Sequence, residues 1–239
     1  MIEVFEELAS TSGTLLERLA AGDPVLDGSW IVANRQTSGR GRLGRSWSDG
    51  RGNFMGSTFV SSHAGDPPLG TLSLAIGLAV REAIMRFVPP GTNVMLKWPN
   101  DLLVDGRKLS GILLEGGPGG VVVGIGVNLA VAPELADRPT VALAQIGNCP
   151  DRDVFAQELA KAVDQEVERW RAFGLDPLIR RWDEAAHPIG TPLKVGEGQE
   201  PTATGTYVGL APDGALQLRL ADGTLRAIHA GEINLSNGS

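Results

Sequence analysis

The sequence has few of the residues that build disulfides, metal sites and nucleophilic centres. Its 239 residues include one cysteine and three histidines, and aromatic residues make up 5%. A single cysteine, Cys149, can form neither an internal disulfide nor a thiolate zinc site. His63, His187 and His229 lie far apart without the spacing of metal ligands, and no serine or cysteine stands in a nucleophile motif. These absences argue against thiol, zinc and covalent catalysis.

Long apolar runs are absent too. The longest, residues 72–80 and 121–131, fall well short of the ~20 residues that a transmembrane helix needs. The N-terminus carries Glu3, Glu6 and Glu7, whereas a secretory signal carries basic residues before its apolar core. The sequence therefore predicts a cytoplasmic globular protein without a membrane partner, and its length allows a sizeable core.

Acidic residues outnumber basic ones, but the basic residues are concentrated in one segment. The formal net charge is −7, yet residues 34–51 carry five arginines and one acidic residue, a local charge of +4. Lysine is rare, and two of the lysines, Lys97 and Lys108, fall close together. An acidic protein with one basic, glycine-rich segment is expected to meet a compact anion there rather than an extended polyanion.

The spacing of apolar residues predicts an α+β fold, with a mixed, mainly antiparallel sheet and helices packed on it. Residues 36–53 show neither a strand nor a helix period and are predicted to form a long loop, flexible until a ligand binds. Short strands after residue 187, separated by Asp-Gly turns, predict a small C-terminal β-barrel. We therefore expect two domains, residues 1–186 and 187–239. Helices are predicted over residues 14–21, 69–88, 151–173 and 177–186, and strands over residues 30–34, 54–60, 94–98, 102–104, 109–115 and 121–131.

The basic segment contains GRGRLG at residues 39–44, which satisfies the G-x-G-x-x-G dinucleotide fingerprint. That fingerprint needs a helix directly after its third glycine, whereas residues 45–50 break any helix and a strand follows. We interpret the segment instead as a glycine-hinged loop whose Arg40, Arg42 and Arg45 close over phosphates or a carboxylate. A solvated basic loop is the alternative.

A second cluster, KWPND at residues 97–101, stands at the start of a predicted hairpin. Pro99 restrains the chain, so Asn100 and Asp101 are presented at a defined angle. Their oxygens suit Mg²⁺ and Lys97 could neutralise a phosphate nearby, while an Asx turn is the alternative. Lys108 returns across the hairpin toward the same region.

Alternate glycines mark a third cluster, GIGVNL at residues 124–129. Glycines two positions apart clear one face of a strand for close approach of a ligand or another backbone. Asn128 supplies an amide at the end of this strand.

Taken in chain order, these stretches resemble the motifs of the biotin protein ligase family. The resemblance runs from Ser10-Thr11-Ser12 through QTSGRGRLGRSW and KWPNDLLVDGRKLSGILLE to GIGVNL, and it extends to about Leu235. The family usually has Asn or Gln where this chain has Ser12. The resemblance implies a catalytic domain like that of class II synthetases, in the form without the N-terminal DNA-binding domain that some members carry.

The resemblance also implies a function. Such an enzyme converts biotin and ATP to biotinyl-5'-AMP and pyrophosphate, with Mg²⁺, and then transfers biotin to a lysine of a biotin carboxyl carrier protein. The implied catalytic residues are Lys108, Asp101 and Arg42. The implied biotin-binding residues are Ser10, Thr11, Ser12, Gln36, Gly39, Arg40, Gly41, Arg42, Lys108, Gly111 and Gly126. The implied ATP-binding residues are Arg42, Arg45, Trp47, Lys97, Asn100, Asp101 and Asn128, with Asn100 and Asp101 as Mg²⁺ ligands.

Two alternatives stay open. A lipoate or octanoate ligase has a related fold and attaches its acid by similar chemistry, but GRGRLGR and KWPND match the biotin branch of the family. A nucleic-acid-binding arm is disfavoured by the net charge and because Trp47 is the only aromatic residue among the arginines of the loop, so DNA is not expected as a partner. The sequence leaves the oligomeric state open, a homodimer included.

Overall fold

Two sheets and four helices make up the part of the chain that the computed structural model describes, residues 1–136, 138–196 and 202–235. None of these helices combines the length and the apolar character needed to cross a membrane. The elements are β1 (Ile2–Leu8), α1 (Thr11–Ala21), β2 (Trp30–Gln36), β3 (Phe54–Ser61), α2 (Leu72–Met85), β4 (Val94–Lys97), β5 (Asp101–Val104), β6 (Arg107–Gly117), β7 (Gly120–Val127), α3 (Arg152–Phe173), α4 (Leu175–Ala185), β8 (Pro192–Val195), β9 (Ala203–Leu210), β10 (Leu216–Arg219), β11 (Leu225–Ile228) and β12 (Ile233–Leu235).

The large sheet has seven strands in the order β1-β2-β3-β7-β6-β5-β4. Only β1 and β2 run parallel, and every other neighbouring pair is antiparallel. The predicted hairpin turn between β5 and β6 is present, with Asp105 and Gly106 both at positive φ. Both residue types tolerate that backbone region, which the tight turn requires. The predicted mixed, mainly antiparallel fold is confirmed.

The two faces of the large sheet are covered unequally. Strand β7 turns Val121, Val123, Ile125 and Val127 toward the core that α2 and α3 complete. Its other face carries Val122, which packs against α1, and then two glycines. Because side chains alternate along a strand, α1 covers one end of this face and the glycines leave the other end hollow.

Strand β1 was not predicted. It lies at the edge of the sheet and shows no regular alternation of buried and exposed residues. Polar contacts hold it in place, with Glu3 paired to Arg18 and Glu7 paired to Arg35. Its backbone pairs with β2, and Ile2, Phe5 and Leu8 pack against the hydrophobic clusters. Sequence periodicity fails here because these apolar residues are spaced by three and do not alternate.

The predicted small C-terminal β-barrel is present as a second, small sheet, but it does not close. Strands β8 to β12 form an antiparallel sheet in the order β11-β10-β9-β8-β12. Strands β11 and β12 lie at its opposite edges, and no pairing joins them in the described ranges. Within the described ranges the small C-terminal β unit is therefore an open sheet.

A buried histidine lies where the chain leaves the helices for the second sheet. His187 follows Ala186, which bridges to Leu96 of β4. Its imidazole is buried, and Nε2 has no hydrogen-bond partner in the described part of the chain. Burial, with a smaller contribution from nearby Lys97, lowers the pKa of His187 to about 4. The folded protein therefore holds this side chain neutral.

This burial predicts a loss of stability on mild acidification. Unfolded His187 binds a proton below its ordinary pKa of 6.5, whereas the folded protein excludes it until about pH 4. At pH 5 this difference costs about 2 kcal/mol of unfolding free energy. Urea unfolding at pH 7 and pH 5 should show a smaller loss for His187→Gln than for the wild type. His63→Gln, which removes an exposed histidine, is the control and should behave as the wild type does; equal losses in all three proteins would contradict the prediction.

Candidate active site

A cavity of about 360 Å³ opens over the uncovered end of the large sheet. The start of α1 forms one wall, the segment between β2 and β3 forms the roof, and β5, β6 and β7 form the floor. Most residues predicted from the sequence line it. They are Ser10, Thr11, Ser12, Gln36, Arg40, Gly41, Arg42, Arg45, Trp47, Asn100, Asp101, Lys108, Gly111, Gly126 and Asn128.

Two predicted residues lie outside the lining. Gly39 joins the two ends of the roof, since its carbonyl accepts from the backbone of Trp47 at 2.9 Å. A Cβ there would lie 2.8 Å from the Trp47 carbonyl oxygen, so only glycine permits this approach. Lys97 is half-buried beneath the cavity, where burial lowers its pKa although Asp101 and Glu232 act in the opposite sense.

One end of the cavity is polar and uncharged. Gln36 accepts through its side-chain oxygen from the backbone N–H of Thr11 at 2.7 Å and from the Thr11 hydroxyl at 3.1 Å. Ser57, which was not predicted, connects the Thr11 and Ser12 hydroxyls at 2.7 and 2.9 Å. Ser10 caps α1 by accepting from the N–H of Gly13. This end can hydrogen-bond a neutral polar group.

The middle of the cavity is floored by glycine and covered by an indole. The Trp47 ring lies on Gly126, where a Cβ would stand 2.3 Å from the ring, and beside Gly111. The ammonium of Lys108 lies 5.9 Å from the ring centre. Trp47 Nε1 is buried without a hydrogen-bond partner among the described residues. The two glycines therefore make room for an aromatic roof.

The KWPND hairpin places its polar side chains at the far end of the floor. Lys108 donates to Asp101 at 2.6 Å, across neighbouring strands. Asn100 donates to the carbonyl of Ile112 at 2.6 Å and accepts from Arg42 at 3.1 Å. Asp101 is buried and its partner nearly so. The hairpin thus holds a lysine ammonium in a fixed position over the sheet.

The arginines of the roof reach inward to three different elements. Arg40 pairs with Glu115 of β6 at 3.1 Å. Arg42 donates to Asn100 and also to the carbonyl of Gly231 at 3.3 Å. Arg45 donates with both terminal nitrogens to Glu232, one of them at 2.7 Å. Residues just before β12 of the second sheet therefore hold the roof closed over the cavity.

Cationic side chains surround Glu232 at the point where the roof meets the second sheet. Arg45 binds it directly, and Arg138 lies 3.8 Å away. Burial alone would raise the pKa of Glu232, but the hydrogen bond from Arg45 and the neighbouring cations, Lys97 included, hold it below its usual value. Glu232, Glu115 and Arg138 were not predicted, because their partners are remote in sequence.

The oxygens predicted as Mg²⁺ ligands do not fit that role in this arrangement. The Asn100 side-chain oxygen accepts from Arg42, and Asp101 is paired with Lys108. No cluster of three His, Cys, Asp or Glu side chains suited to a metal occurs in the ranges described. Two oxygens already bound to cations form a poor cage for a divalent ion.

The cavity joins an uncharged polar end to a cationic end beneath one loop, which suits a class of protein that binds a small polar acid. Comparison with known proteins agrees. The sequence model of the Biotin/lipoate A/B protein ligase family matches residues 5–131, which are 127 of 239. The model of the Biotin protein ligase C terminal domain matches residues 189–236.

Individual relatives point the same way. A biotin–[acetyl-CoA-carboxylase] ligase of Paracoccus denitrificans is 35% identical over 89% of this chain and 92% of its own length. One from Mycobacterium tuberculosis is 38% identical over 71% of this chain and 65% of its own length. The structure of the biotin protein ligase from Aquifex aeolicus in complex with biotin and ATP superposes with a TM-score of 0.84, at 29% identity and 99% coverage of both chains.

The chain therefore belongs to the biotin/lipoate A/B protein ligase family, within the biotin protein ligases, which confirms the resemblance read from its motifs.

The contact between Trp47 and Gly126 predicts how the roof can be opened. In Gly126→Ala the new methyl group would overlap the Trp47 ring, so the segment that carries Trp47 must lift from the floor. We expect trypsin to cleave at the arginines of residues 40–51 about tenfold faster. That factor corresponds to a decrease of about 1.4 kcal/mol in the free energy that favours the closed roof. Gly116→Ala on β6 is the control, because a Cβ there meets nothing within 4 Å. Unchanged cleavage of Gly126→Ala would show that Trp47 does not hold the roof.

Proposed function

We propose that this chain is a biotin–protein ligase, which activates biotin with ATP and transfers it to a lysine of a biotin carboxyl carrier protein. The observation that carries the proposal is the cavity itself. It joins a neutral polar end around Gln36 to a cationic end around Lys108 and Arg42, beneath one closing loop. Biotin has the matching shape, a neutral cyclic urea at one end and a carboxylate at the other.

In this orientation the ring system lies against Ser10, Thr11 and Gln36, and the strand at Gly126 becomes its floor once the Trp47 ring lifts from that glycine. The biotin carboxylate then points toward Lys108. ATP lies against Arg42, Arg45 and Asn128, which line the same cavity. In the first step the carboxylate oxygen attacks the α-phosphorus of ATP, and the bond to the β-phosphate oxygen breaks. The products are biotinyl-5'-AMP and pyrophosphate.

The cationic side chains are what the first step needs from the protein. Two anions must approach each other, and negative charge develops on the departing pyrophosphate. Arg42, Arg45 and Lys108, with half-buried Lys97, offset that repulsion inside a partly closed site where charges act strongly. No protein nucleophile is needed, in keeping with the absence of one from the sequence.

In the second step the carrier lysine attacks the carbonyl carbon of the mixed anhydride, forming an amide and releasing AMP. Asp101 is the candidate to orient the incoming amine or accept its proton, and Lys108 is the candidate to hydrogen-bond the carbonyl oxygen. Their 2.6 Å contact keeps both groups at the reacting end of the cavity. The closed roof excludes water from the anhydride until the carrier arrives.

These roles predict strong effects of two substitutions. Lys108→Ala removes the cation nearest the reacting carboxylate, and we expect biotin-dependent exchange of labelled pyrophosphate into ATP to fall about 100-fold. Asp101→Ala should slow transfer to the carrier by a comparable factor. Lys161→Ala, which removes an exposed lysine of α3, serves as the control. Rates within threefold of wild type in both half-reactions, a change of only ~0.6 kcal/mol, would remove Lys108 and Asp101 from the mechanism.

The contacts of Arg42 predict that this residue slows the release of biotinyl-5'-AMP. Its side chain links the roof to Asn100 and to Gly231, so Arg42→Ala loses two hydrogen bonds that keep the roof closed. Release of preformed labelled biotinyl-5'-AMP should become about tenfold faster, as expected for lost charge-assisted hydrogen bonds. Chase experiments with unlabelled biotin and ATP measure this rate. Arg51→Ala, at an exposed position of the same segment, should leave it unchanged.

Lipoate or octanoate attachment is the alternative within the family. The neutral polar end favours biotin, because four hydrogen-bonding side chains would face a dithiolane or an alkyl chain that cannot use them. Incubation with each acid and ATP, followed by pyrophosphate exchange, separates the two activities. Exchange with lipoate or octanoate but not with biotin would overturn the proposal.

We also propose a cytoplasmic location, because ATP is the co-substrate, and two domains that divide near residue 186, between α4 and β8. The arginines of the roof contact Glu115, Asn100 and Glu232, which disfavours a nucleic-acid-binding arm. Lack of DNA binding stays a prediction, and the oligomeric state stays open.

A further inference from the structure

Four buried side chains form one hydrogen-bonded series at the polar end of the cavity. It runs from Gln36 through Thr11 and Ser57 to Ser12, with oxygen–oxygen distances of 3.1, 2.7 and 2.9 Å. Ser57 is fully buried in β3, opposite Gly124 of β7, and does not line the cavity. Ser12 does line it.

The geometry fixes the direction of hydrogen bonding at the Gln36 end. The backbone N–H of Thr11 can only donate, and it lies 2.7 Å from the Gln36 side-chain oxygen. The Gln36 amide is therefore oriented with its oxygen toward Thr11. The Thr11 hydroxyl contacts the same oxygen, which can only accept, so this hydroxyl must donate to it.

That direction passes along the series because each hydroxyl has one proton. The Thr11 proton is directed to Gln36, so Ser57 must donate to Thr11. The Ser57 proton is then engaged, and Ser12 must donate to Ser57. The Ser12 oxygen lies above the floor glycine Gly124, where a Cβ would stand 2.6 Å away. It is left with only lone pairs for a ligand in the cavity.

We propose that Ser57 is a positioning residue that makes Ser12 a hydrogen-bond acceptor, and that this acceptor selects a substrate carrying an N–H group at this end. The inference rests on the proposed function, since the cyclic urea of biotin supplies such an N–H. Lipoate and octanoate carry none at the corresponding end. Ser12 stands where the family usually has an amide side chain, so the series gives a hydroxyl the fixed polarity that a carbonyl oxygen has by nature.

The test compares two neighbouring residues of β3. Ser57→Ala interrupts the series, whereas Thr58→Val removes an equally buried hydroxyl on the opposite face, one that donates to the Ser29 carbonyl at 2.9 Å. Biotin-dependent pyrophosphate exchange is measured with the full chain. We expect Ser57→Ala to raise KM for biotin about 3- to 10-fold, as for loss of one oriented hydrogen bond, with kcat and KM for ATP unchanged. Thr58→Val should leave all three parameters unchanged.

A double-mutant cycle tests whether Ser57 acts through Ser12. Ser12→Ala should itself raise KM for biotin. Adding Ser57→Ala to it should raise KM less than twofold further, because Ser57 then has no Ser12 hydroxyl left to orient. Independent, multiplying effects would overturn the inference. So would a KM within twofold of wild type for Ser57→Ala, or an equal rise in Thr58→Val.

Two further measurements keep the outcome clear. Ser57→Cys, which retains a side chain of similar shape with a weak S–H donor, should shift KM for biotin in the same direction and covers the case in which Ser57→Ala fails to fold. Wild-type protein that shows no biotin-dependent exchange overturns the proposed function and this inference with it. Wild-type activity with unshifted Ser57 variants overturns the inference alone.

Discussion

The balance of charge inside the cavity is the constraint on which the rest of the site depends. Several cations converge there in a protein of net charge −7. Two like charges 4 Å apart repel by about 4 kcal/mol at an effective dielectric constant of 20, so they need counter-charges when no substrate is bound. Asp101, Glu115 and Glu232 supply these. Under the proposed function, substrate phosphates would replace these carboxylates as partners of the cations.

The hollow that holds the substrates follows from one strand. On the core face of β7 every residue is β-branched, which suits a strand buried between neighbours. On the other face Gly124 and Gly126 follow Val122, so the same strand supports α1 at one end and receives the Ser12 hydroxyl and the Trp47 ring at the other. A side chain at either glycine would meet Ser12 or Trp47. The cavity is thus built by omission of side chains from a rigid sheet, which positions a ligand better than a loop does.

Local chemistry made much of this predictable from the sequence. The hairpin with Asp105-Gly106, the glycine-cleared strand and the arginine loop each depend on residues adjacent in the chain, and the structure brings them to one cavity. Pairings across long separations were beyond such reasoning: Arg45 and Glu232 are 187 residues apart. The partners of Ser57 could not be predicted for the same reason. Its place in β3 indicates only that a polar side chain is buried there. Strand β1 and the open second sheet were missed because edge pairing and ring closure are set by topology, which periodicity does not encode.

The second sheet belongs to the site as well as to the fold. It contributes the Gly231 carbonyl and the Glu232 carboxylate, and both hold arginines of the roof. The Arg45–Glu232 pair is partly exposed, and pairs of that kind contribute about 0–1 kcal/mol. Contacts this weak set where the roof closes without making closure hard to reverse. A loop that must admit two substrates, seal a reactive anhydride and then reopen to a carrier protein needs that combination of defined position and low cost of opening.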